Sequence, residues 1–314
     1  MALQAPTILI PGAAGSAAID AIRSLREVKY SGRIIATDGE PLAAGFRFSD
    51  AYYVTHSIDN PRALRQMRRV IEEENVKLIL PTSFTDTAVY ARIKAELAAT
   101  GVVFAGCDGD VVDLCDDKLR FWHMVHKHFP VPANIGLDRG YPDEYPCFVK
   151  PRMGSGGRGS GICRDDDDWR MYRKRCESLI AQEVLPGAEY SVDVLCDLKG
   201  TPIVAIPRER ISISDGVSTR ARVIRDELLV QLCLSMAHYL NIKGVACMQL
   251  KRDSKGFPRF LEVNARLGGS TRICSLAGFD VVGALVALAL GNEVCITEYR
   301  EITVIRYFNE VVVD

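Results

Sequence analysis

The chain has 314 residues, enough for about two or three compact units around a substantial hydrophobic core. Its 39 basic and 40 acidic residues give a formal net charge of −1, which argues against a nucleic-acid-coating protein or a polybasic membrane-binding protein. Without a bilayer-length apolar run, a signal-peptide pattern or a C-x-x-C pair among its 10 cysteines, the sequence predicts a cytoplasmic protein with reduced thiols.

The first third of the chain alternates short apolar runs with amphipathic stretches. Strands are predicted at residues 7–10, 33–37, 77–80 and 102–105, and helices at 16–28, 61–74 and 85–99. Strands that alternate with helices of this length predict a parallel, doubly wound sheet.

Two loops of this sheet are candidate ligand-binding segments. Gly12, Gly15 and Asp38 partly match the dinucleotide pattern G-x-G-x-x-G, but a tight turn and close helix packing explain both glycines. We therefore favour a small-molecule substrate over NAD at this loop. The segment 81–86 is a second candidate, because ligands bind at the carboxyl ends of strands in open α/β sheets. Its polar residues are alternatively helix caps.

A helix is predicted at residues 111–127, with the sequence Asp-Asp-Lys at 116–118. Its end carries His123, His126 and His128, whose spacing invites comparison with a metal site. No acidic or cysteine partner stands near these histidines, so a solvated helix end is the favoured interpretation.

A glycine-rich loop, residues 154–161, follows an apolar run that predicts a buried strand ending at Lys150. Its five glycines let the backbone turn sharply and present successive N–H groups to an anion. Lys150 adds a positive charge suited to phosphate oxygens. A flexible surface loop is an equally good interpretation of the glycines alone, and no Gly-Lys-Ser or Gly-Lys-Thr follows to complete a P-loop.

A strand predicted at 179–185, a Pro-Gly hinge and a second strand at 189–195 follow the glycine loop. Backbone groups of the first strand could hold a purine edge. Glu189, at the start of the second strand, could bind ribose hydroxyls.

Three arginines follow in the next strands. Arg208 and Arg210 precede a predicted polar loop, 212–219, and Arg220 follows it. They either clamp an anionic substrate or are solvated arginines at strand edges, and the sequence does not separate these alternatives. The stretch 226–240 predicts an amphipathic core helix.

The second informative group of residues lies on two strands predicted at 244–250 and 259–266. Residues two apart in a strand face the same side, so Glu262, Asn264 and Arg266 line one surface. Gln249 on the adjoining strand completes an oxygen-only set suited to Mg²⁺. Arg266 could stabilise charge on a transferring phosphoryl group. The alternative, a polar stripe on an exposed sheet face, is weakened by the apolar residues between these positions.

Together these ordered motifs resemble the ATP-grasp superfamily, and within it the carbamoyl-phosphate synthetase large chains and biotin carboxylase. The matching residues lie between about residues 116 and 290. The resemblance implies an α/β fold, with an N-terminal Rossmann-like pre-grasp domain followed by a two-lobed ATP-grasp α+β domain. The expected boundaries are 1–115 for the pre-grasp domain, 116–185 for the small lid lobe and 186–314 for the large lobe.

The resemblance also implies a role for each matching position. Lys118 and Lys150 are expected to contact the ATP phosphates. Gly156 and Gly157 are expected to belong to the lid that covers these phosphates. Adenine and ribose are expected at Gln182, Glu183, Val184, Leu185 and Glu189. The metal, Mg²⁺ or alternatively Mn²⁺, is expected at Gln249, Glu262 and Asn264. Arg266 and Lys150 are the expected catalytic residues.

Three departures from the family pattern bear on these expectations. Gln182 stands where many relatives have Glu, which puts a purine contact through that carboxylate in doubt. Gln249 and Asn264 are neutral, so Glu262 is the single charged metal ligand of the set. The chain also lacks the duplicated halves of a full synthetase, which argues against carbamoyl phosphate synthesis itself.

The resulting expectation is an ATP-dependent ligase that joins a small-molecule carboxylate to an amine or another nucleophile through an acyl-phosphate. No nucleic acid or membrane partner is expected, and a homodimer is left open. The alternatives are a phosphoryl transferase on the same scaffold and a non-catalytic ATP-binding subunit. A Rossmann oxidoreductase is the least favoured.

Overall fold

The computed structural model describes residues 5–56, 60, 62–136 and 140–312, and these residues form three β-sheets. The sheets follow one another along the chain, with five strands in the first, three in the second and six in the third. Within this described part, no helix is both long and apolar enough to cross a membrane.

The N-terminal sheet is parallel and doubly wound, as predicted. Its strands, in the order β3-β2-β1-β4-β5, are β1 (Thr7–Pro11), β2 (Ile34–Asp38), β3 (Ala51–Val54), β4 (Val76–Ile79) and β5 (Val103–Phe104). Its helices are α1 (Ser16–Glu27), α2 (Ala63–Glu73), α3 (Phe84–Arg92) and α4 (Lys94–Ala99), with a 3-10 helix at Ala44–Phe48.

Two details of this sheet differ from the prediction. Strand β3 was not predicted, although all four of its residues are apolar or aromatic. It is a short edge strand whose alternate side chains, Tyr52 and Val54, are exposed. The single helix predicted at 85–99 is two helices, since the backbone of Ile93 (φ −98°, ψ 13°) leaves the helical region. Helix α2 begins at Ala63, and Pro61, the predicted first residue, lies outside the described residues.

The helix predicted at 111–127 is also two helices, α5 (Gly109–Asp116) and α6 (Lys118–Val125). Asp117 separates them with an extended backbone (φ −93°, ψ 95°), and its carboxylate accepts hydrogen bonds from the N–H groups of Leu119 and Arg120. An aspartate that can cap the following turn favours a break over a continuous helix. The break puts Lys118 at a helix N-terminus.

The small sheet is antiparallel, in the order β7-β6-β8. It consists of β6 (Cys147–Pro151), β7 (Gly161–Cys163) and β8 (Leu179–Glu183), with α7 (Asp166–Arg175) packed on β7. Asp165 caps α7 by accepting from the N–H groups of Asp167 and Asp168. The glycine loop joins β6 to β7.

The large sheet is antiparallel and places its strands in the order β13-β12-β9-β10-β11-β14. Its strands are β9 (Glu189–Cys196), β10 (Pro202–Ser214), β11 (Val217–Val223), β12 (Val245–Arg252), β13 (Pro258–Asn264) and β14 (Thr303–Ile305). Its helices are α8 (Glu227–Tyr239), α9 (Arg272–Ala277) and α10 (Val281–Ala289).

The prediction of a polar loop at 212–219 is wrong. Strands β10 and β11 extend into this segment and pair as a hairpin. The turn consists of Asp215 (φ 50°) and Gly216 (φ 76°), both with positive φ. An Asp-Gly pair is a strong signal for a tight hairpin turn, and the serines around it obscured that signal. The hairpin carries Gly216 out toward the glycine loop.

The N-terminal sheet and the large sheet share one core. Ile8 and Ile10 of β1 belong to the same buried cluster as Val245 of β12 and Leu285 of α10. Burial of these side chains joins the two sheets through α1, α9 and α10, so the loops at the carboxyl edge of the first sheet face the polar surface of the large sheet.

Candidate functional site

Two adjoining cavities lie over the polar face of the large sheet. The larger, about 800 Å³, lies between the small sheet and the large sheet, and the smaller, about 440 Å³, opens toward the N-terminal loops. Arg210, Gln249 and Glu262 line both cavities and mark the place where they meet.

Lys150 lies at the end of β6 and points into the larger cavity. Only 6% of this residue is exposed, and its Nζ donates to the carbonyl of Leu261 at 3.0 Å. Burial lowers the pKa of Lys150 to about 8, although the nearby carboxylate of Glu262 opposes the shift. A buried ammonium group with one neutral acceptor is ready to pair with an anion.

Lys118 reaches the same cavity from the N-terminus of α6. Its Nζ donates to the carbonyl of Gly154 at 2.6 Å, and its backbone N–H donates to the carbonyl of Arg152. Arg152 in turn binds both carboxylate oxygens of Asp117, at 2.8 and 2.6 Å. This bidentate pair assigns a positioning role to Arg152, for which the sequence offered none.

The glycine loop covers the larger cavity. Gly154, Gly156, Gly157 and Gly159 all have positive φ, a region that other residues rarely adopt. The loop touches the β10–β11 hairpin, because a Cβ on Gly216 would lie 2.6 Å from the Cα of Gly156. Close backbone contact between the glycine loop and the hairpin turn covers one side of the cavity.

The predicted oxygen cluster comes together on β12 and β13. Gln249 and Glu262 are direct neighbours in the register of the two strands. The amide of Asn264 donates to Glu262 Oε1 at 3.0 Å, and Arg266 Nη2 donates to Asn264 Oδ1 at 3.0 Å. All four residues line the smaller cavity. Their side chains therefore share one surface, as the two-residue period of a strand predicts.

The charge of Glu262 is stabilised from two sides. Burial acts to raise its pKa, but Lys118, Lys150 and the amide of Asn264 outweigh burial and hold the pKa below its ordinary value. Glu262 is therefore ionised at neutral pH. The Asn264 amide nitrogen faces its carboxylate, whereas the amide oxygens of Asn264 and Gln249 accept from Arg266 and Arg210. One carboxylate and two amide oxygens form a hard-donor set that fits Mg²⁺ whose remaining ligands are phosphate oxygens or water.

Glu189, at the start of β9, lines the larger cavity. It stands opposite Arg210, whose Nη1 donates to Glu189 Oε1 at 2.7 Å and to Gln249 Oε1 at 3.0 Å. Arg210 Nη2 donates to the carbonyl of Gly216 at 2.7 Å. Arg210 therefore connects the residue expected to bind ribose, one expected metal ligand and the turn beneath the lid.

The other two arginines have different surroundings. Arg208 is fully buried, and its guanidinium binds the carboxylate of Asp193 and donates to Ser270 Oγ at 2.5 Å. Arg220 is exposed on β11 and lines neither cavity. Of the three arginines that the sequence left undecided, the structure brings Arg210 alone to the cavities.

Arg208 belongs to a buried network beneath the turn 268–271. Asp193 Oδ1 accepts from Thr271 Oγ1, and Thr271 Oγ1 accepts from the N–H of Gly268, both at 2.9 Å. The network fixes a turn whose residues Gly268, Gly269 and Ser270 line the smaller cavity. Sequence reasoning missed Asp193, because an acidic residue within an apolar strand run gave no hint of its partner.

Both N-terminal candidate loops reach the smaller cavity. Gly12, Gly15 and Asp38 line it from one side, and Thr82 and Ser83 line it from the other. Ser83, one of the polar residues of segment 81–86, provides the side-chain cap of α3.

The strand residues expected at adenine lie apart from these groups. Gln182, Glu183, Val184 and Leu185 are absent from the lining of the larger cavity as the described residues define it. Glu183 instead binds the segment before the small sheet, with Oε1 accepting from the N–H of Ala133 at 2.9 Å. Their predicted contact with adenine stays a prediction.

Of the helix-end histidines, His123 and His126 lie edge to face, with ring centroids 6.3 Å apart. His126 stacks on Trp122 with ring centroids 4.2 Å apart. Across the described ranges, no group of three or more His, Cys, Asp or Glu side chains is arranged to hold a metal ion.

Two family models match the chain. One, described as ATP-grasp in the biosynthetic pathway with Ter operon, matches residues 175–311. The other, described as PylC-like, N-terminal domain, matches residues 8–105. The first segment covers the large sheet and β8 of the small sheet, and the second covers the N-terminal sheet.

Curated relatives include carbamoyl phosphate synthase large chains. That of Vibrio parahaemolyticus is 24% identical over 311 residues, which cover 86% of this chain and 28% of the relative. That of Thermomicrobium roseum is 24% identical over 307 residues, which cover 90% of this chain and 28% of the relative. The chain thus spans less than a third of the length of these relatives.

Similar solved structures include the biotin carboxylase domain of Hydrogenobacter thermophilus 2-oxoglutarate carboxylase, in complex with MgADP, ADP and bicarbonate. It matches with a TM-score of 0.75 and 18% identity over 95% of this chain and 73% of its own. An ADP complex of N5-carboxyaminoimidazole ribonucleotide synthetase matches with a TM-score of 0.74 and 16% identity, over 95% and 80% of the two chains. These likenesses confirm the predicted fold class.

Proposed function

We propose that this chain, which carries an ATP-grasp domain behind a PylC-like N-terminal domain, is an ATP-dependent ligase that joins a carboxylate to an amine. One observation carries the proposal: the cavity lined by Lys118, Lys150 and the glycine loop meets a second cavity at Gln249 and Glu262. A phosphate donor in the first cavity and an acceptor in the second would meet at this junction.

The proposed reaction has two steps. In the first, an oxygen of the acceptor carboxylate attacks the γ-phosphorus of ATP, the bond to the β-bridging oxygen breaks, and ADP leaves. In the second, the amine nitrogen attacks the acyl carbon, the C–N bond forms, phosphate leaves, and the amine loses a proton.

The site residues contribute charge and position. Lys118 and Lys150 would neutralise phosphate oxygens of the nucleotide, and burial makes the charge of Lys150 more effective than it would be in water. Arg266 lines the smaller cavity beside Asn264, where it would stabilise charge on the transferring group. The glycine loop, resting on Gly216, would exclude water from a labile acyl-phosphate.

The cofactor in this proposal is Mg²⁺, with Mn²⁺ as an alternative, and Gln249, Glu262 and Asn264 would hold it. A bound divalent ion supplies charge neutralisation for the phosphate oxygens. Glu189 would bind the ribose hydroxyls, and residues 182–185 the adenine.

The domain division stays part of the proposal, with 1–115 as the pre-grasp domain, 116–185 as the lid lobe and 186–314 as the large lobe. The substrates are small molecules, an acceptor carboxylate and an amine or another nucleophile. A homodimer is an assembly that sedimentation would test.

An ADP-release assay tests the ligase against its alternatives. Panels of carboxylates and amines should include pairs that release ADP only when both partners and Mg²⁺ are present. Hydroxylamine should then trap an acyl hydroxamate in the absence of amine, which a kinase acting on a hydroxyl would not produce. Nucleotide binding without turnover across wide panels, unchanged in Glu262→Ala, would favour a non-catalytic subunit.

A further inference from the structure

The glycine loop carries one arginine, Arg158, whose bonding differs from that of the other cations at the site. It is exposed, and among the described residues none forms a hydrogen bond or a salt bridge with its side chain. Two carboxylates, Asp215 and Glu262, line the same cavities as Arg158 but do not pair with it. A guanidinium offers five N–H donors in a fixed fork, and all five of Arg158 are open to a bound anion.

Arg158 lies where the two cavities meet, since it lines both of them. Lys118 and Lys150 line the larger cavity and not the smaller one, whereas Arg266 lines the smaller and not the larger. Arg210 also lines both cavities, but its two Nη groups already donate to groups of the protein. Among the described cations at the junction, Arg158 is therefore the one whose guanidinium is free.

The backbone of the glycine loop fixes the place from which the Arg158 side chain starts. The turn 157–160 closes through a hydrogen bond from its last N–H to its first carbonyl, at 3.2 Å, and Arg158 is its second residue. Before this turn, Gly156 rests on the β10–β11 hairpin. Within the turn, a Cβ on Gly159 would lie 3.3 Å from Pro151 Cγ at the end of β6. The loop is thus in contact with the protein on both sides of Arg158.

We propose that Arg158 is a catalytic residue that donates to oxygens of the phosphoryl group as this group passes from the nucleotide to the acceptor. The role rests on the proposed function, because in that reaction the phosphoryl group crosses the junction of the cavities. While the acceptor oxygen bonds to the γ-phosphorus and the bond to the β-bridging oxygen breaks, negative charge spreads over the other three phosphoryl oxygens. Arg158 keeps its proton and stabilises this charge from the glycine loop, and Arg266 does so from the large sheet.

The test compares two ligands of the full chain by titration calorimetry. One is MgADP, and the other is MgADP with aluminium fluoride, an anion that takes the place of the phosphoryl group in transfer. Arg158→Ala should bind MgADP within about twofold of the wild type. It should bind the fluoride complex at least about 100-fold more weakly, because an arginine that contacts the transferring group contributes about 10³-fold or more to turnover. Arg158→Lys should lose about tenfold, since an ammonium group lacks the bidentate fork.

The matched control is Arg175→Ala. Arg175 is an exposed arginine at the end of α7, next to the same small sheet, and it lines neither cavity. This variant should bind both ligands as the wild type does. Guanidinium chloride at a low, non-denaturing concentration should restore part of the affinity that Arg158→Ala loses, whereas sodium chloride at equal ionic strength should not. All variants should keep the wild-type melting temperature, because neither substitution at Arg158 removes a bond of the ligand-free protein.

Two results with the variants would overturn the role. Equal losses of affinity for MgADP and for the fluoride complex in Arg158→Ala would make Arg158 a residue that only orders the loop. Unchanged affinity for both ligands would make it a solvated arginine without a ligand.

Two results with the wild type separate this role from the proposed function. Binding of MgADP that gains nothing from aluminium fluoride would overturn the role of Arg158 and leave nucleotide binding in place. Failure of the wild type to bind either ligand would contradict the ligase function itself, and the role of Arg158 would be lost with it.

Discussion

Arg208 and Arg210 lie two residues apart on the same face of β10, yet their surroundings differ sharply. Arg208 is fully buried, and Asp193 and Ser270 satisfy its donors. Arg210 is held by Glu189, Gln249 and Gly216, and its Nε remains unpaired at a cavity. The comparison separates a fully buried arginine that stabilises the fold from one that lines both cavities and holds a proposed metal ligand, Gln249, and the turn at Gly216 in place.

The largest expected effect comes from breaking the buried ion pair between Arg208 and Asp193. Arg208→Met should lower the free energy of unfolding by about 3–5 kcal/mol, because the carboxylate of Asp193 is then buried without a counter-charge. Denaturant unfolding measures the change. The double variant Arg208→Met with Asp193→Leu should recover most of the loss, and a double variant as unstable as the single one would contradict this explanation.

Neutralising the Glu262 carboxylate should lower catalytic turnover and leave the stability of the fold nearly unchanged. Glu262→Gln should reduce Mg²⁺-dependent ADP release about 100-fold or more, since the single carboxylate of the predicted metal set is lost. Its melting temperature should stay close to that of the wild type. A variant that retains full turnover would remove Glu262 from the proposed metal set.

The contact between lid and hairpin can be tested with two glycines. Gly216→Ala and Gly256→Ala both place alanine at positive φ, at +76° and +80°, so both pay a similar local strain. The Cβ at 216 would lie 2.6 Å from Gly156 Cα, whereas the Cβ at 256 meets open space. Gly216→Ala should weaken nucleotide affinity about tenfold more than Gly256→Ala, as titration calorimetry would measure. Equal affinities would contradict a role for this contact.

The smallest expected effect is a pH dependence from Lys150. Because burial lowers its pKa to about 8, its positive charge is lost as the pH rises through that value, and nucleotide affinity should fall there. The stability of the ligand-free protein should change in the opposite direction. Between about pH 8 and the ordinary lysine pKa of 10.5, the unfolded chain binds more protons than the folded chain, so stability rises with pH. Lys150→Arg should flatten both profiles, and a profile that it leaves unchanged would point to another group.

The sequence predicted the parts of the site whose chemistry is local. The spacing of Glu262, Asn264 and Arg266 follows from the two-residue period of a strand, and these residues do line one cavity. The glycine run and Lys150 also lie at the larger cavity, as expected. Each of these inferences used neighbours within about ten residues.

Partners that are distant in the chain could not be predicted. Arg208 and Arg210 looked equivalent because their acids, Asp193 and Glu189, become neighbours only through the register of β9 with β10. Asp117 also meets a partner far along the chain, Arg152, 35 residues away, where the break between α5 and α6 contacts the residue after β6. The β10–β11 turn differs, since its Asp-Gly signal was present and was outweighed by surrounding polar residues.

The most direct test of the central claim is calorimetric titration of the full chain with AMPPNP, with and without Mg²⁺. The proposed function predicts one molar equivalent of nucleotide bound, with affinity that depends on Mg²⁺ in the wild type. This metal dependence should disappear in Glu262→Gln, while Arg220→Lys behaves as the wild type does. No binding, or binding of equal strength with and without the metal, would contradict the claim.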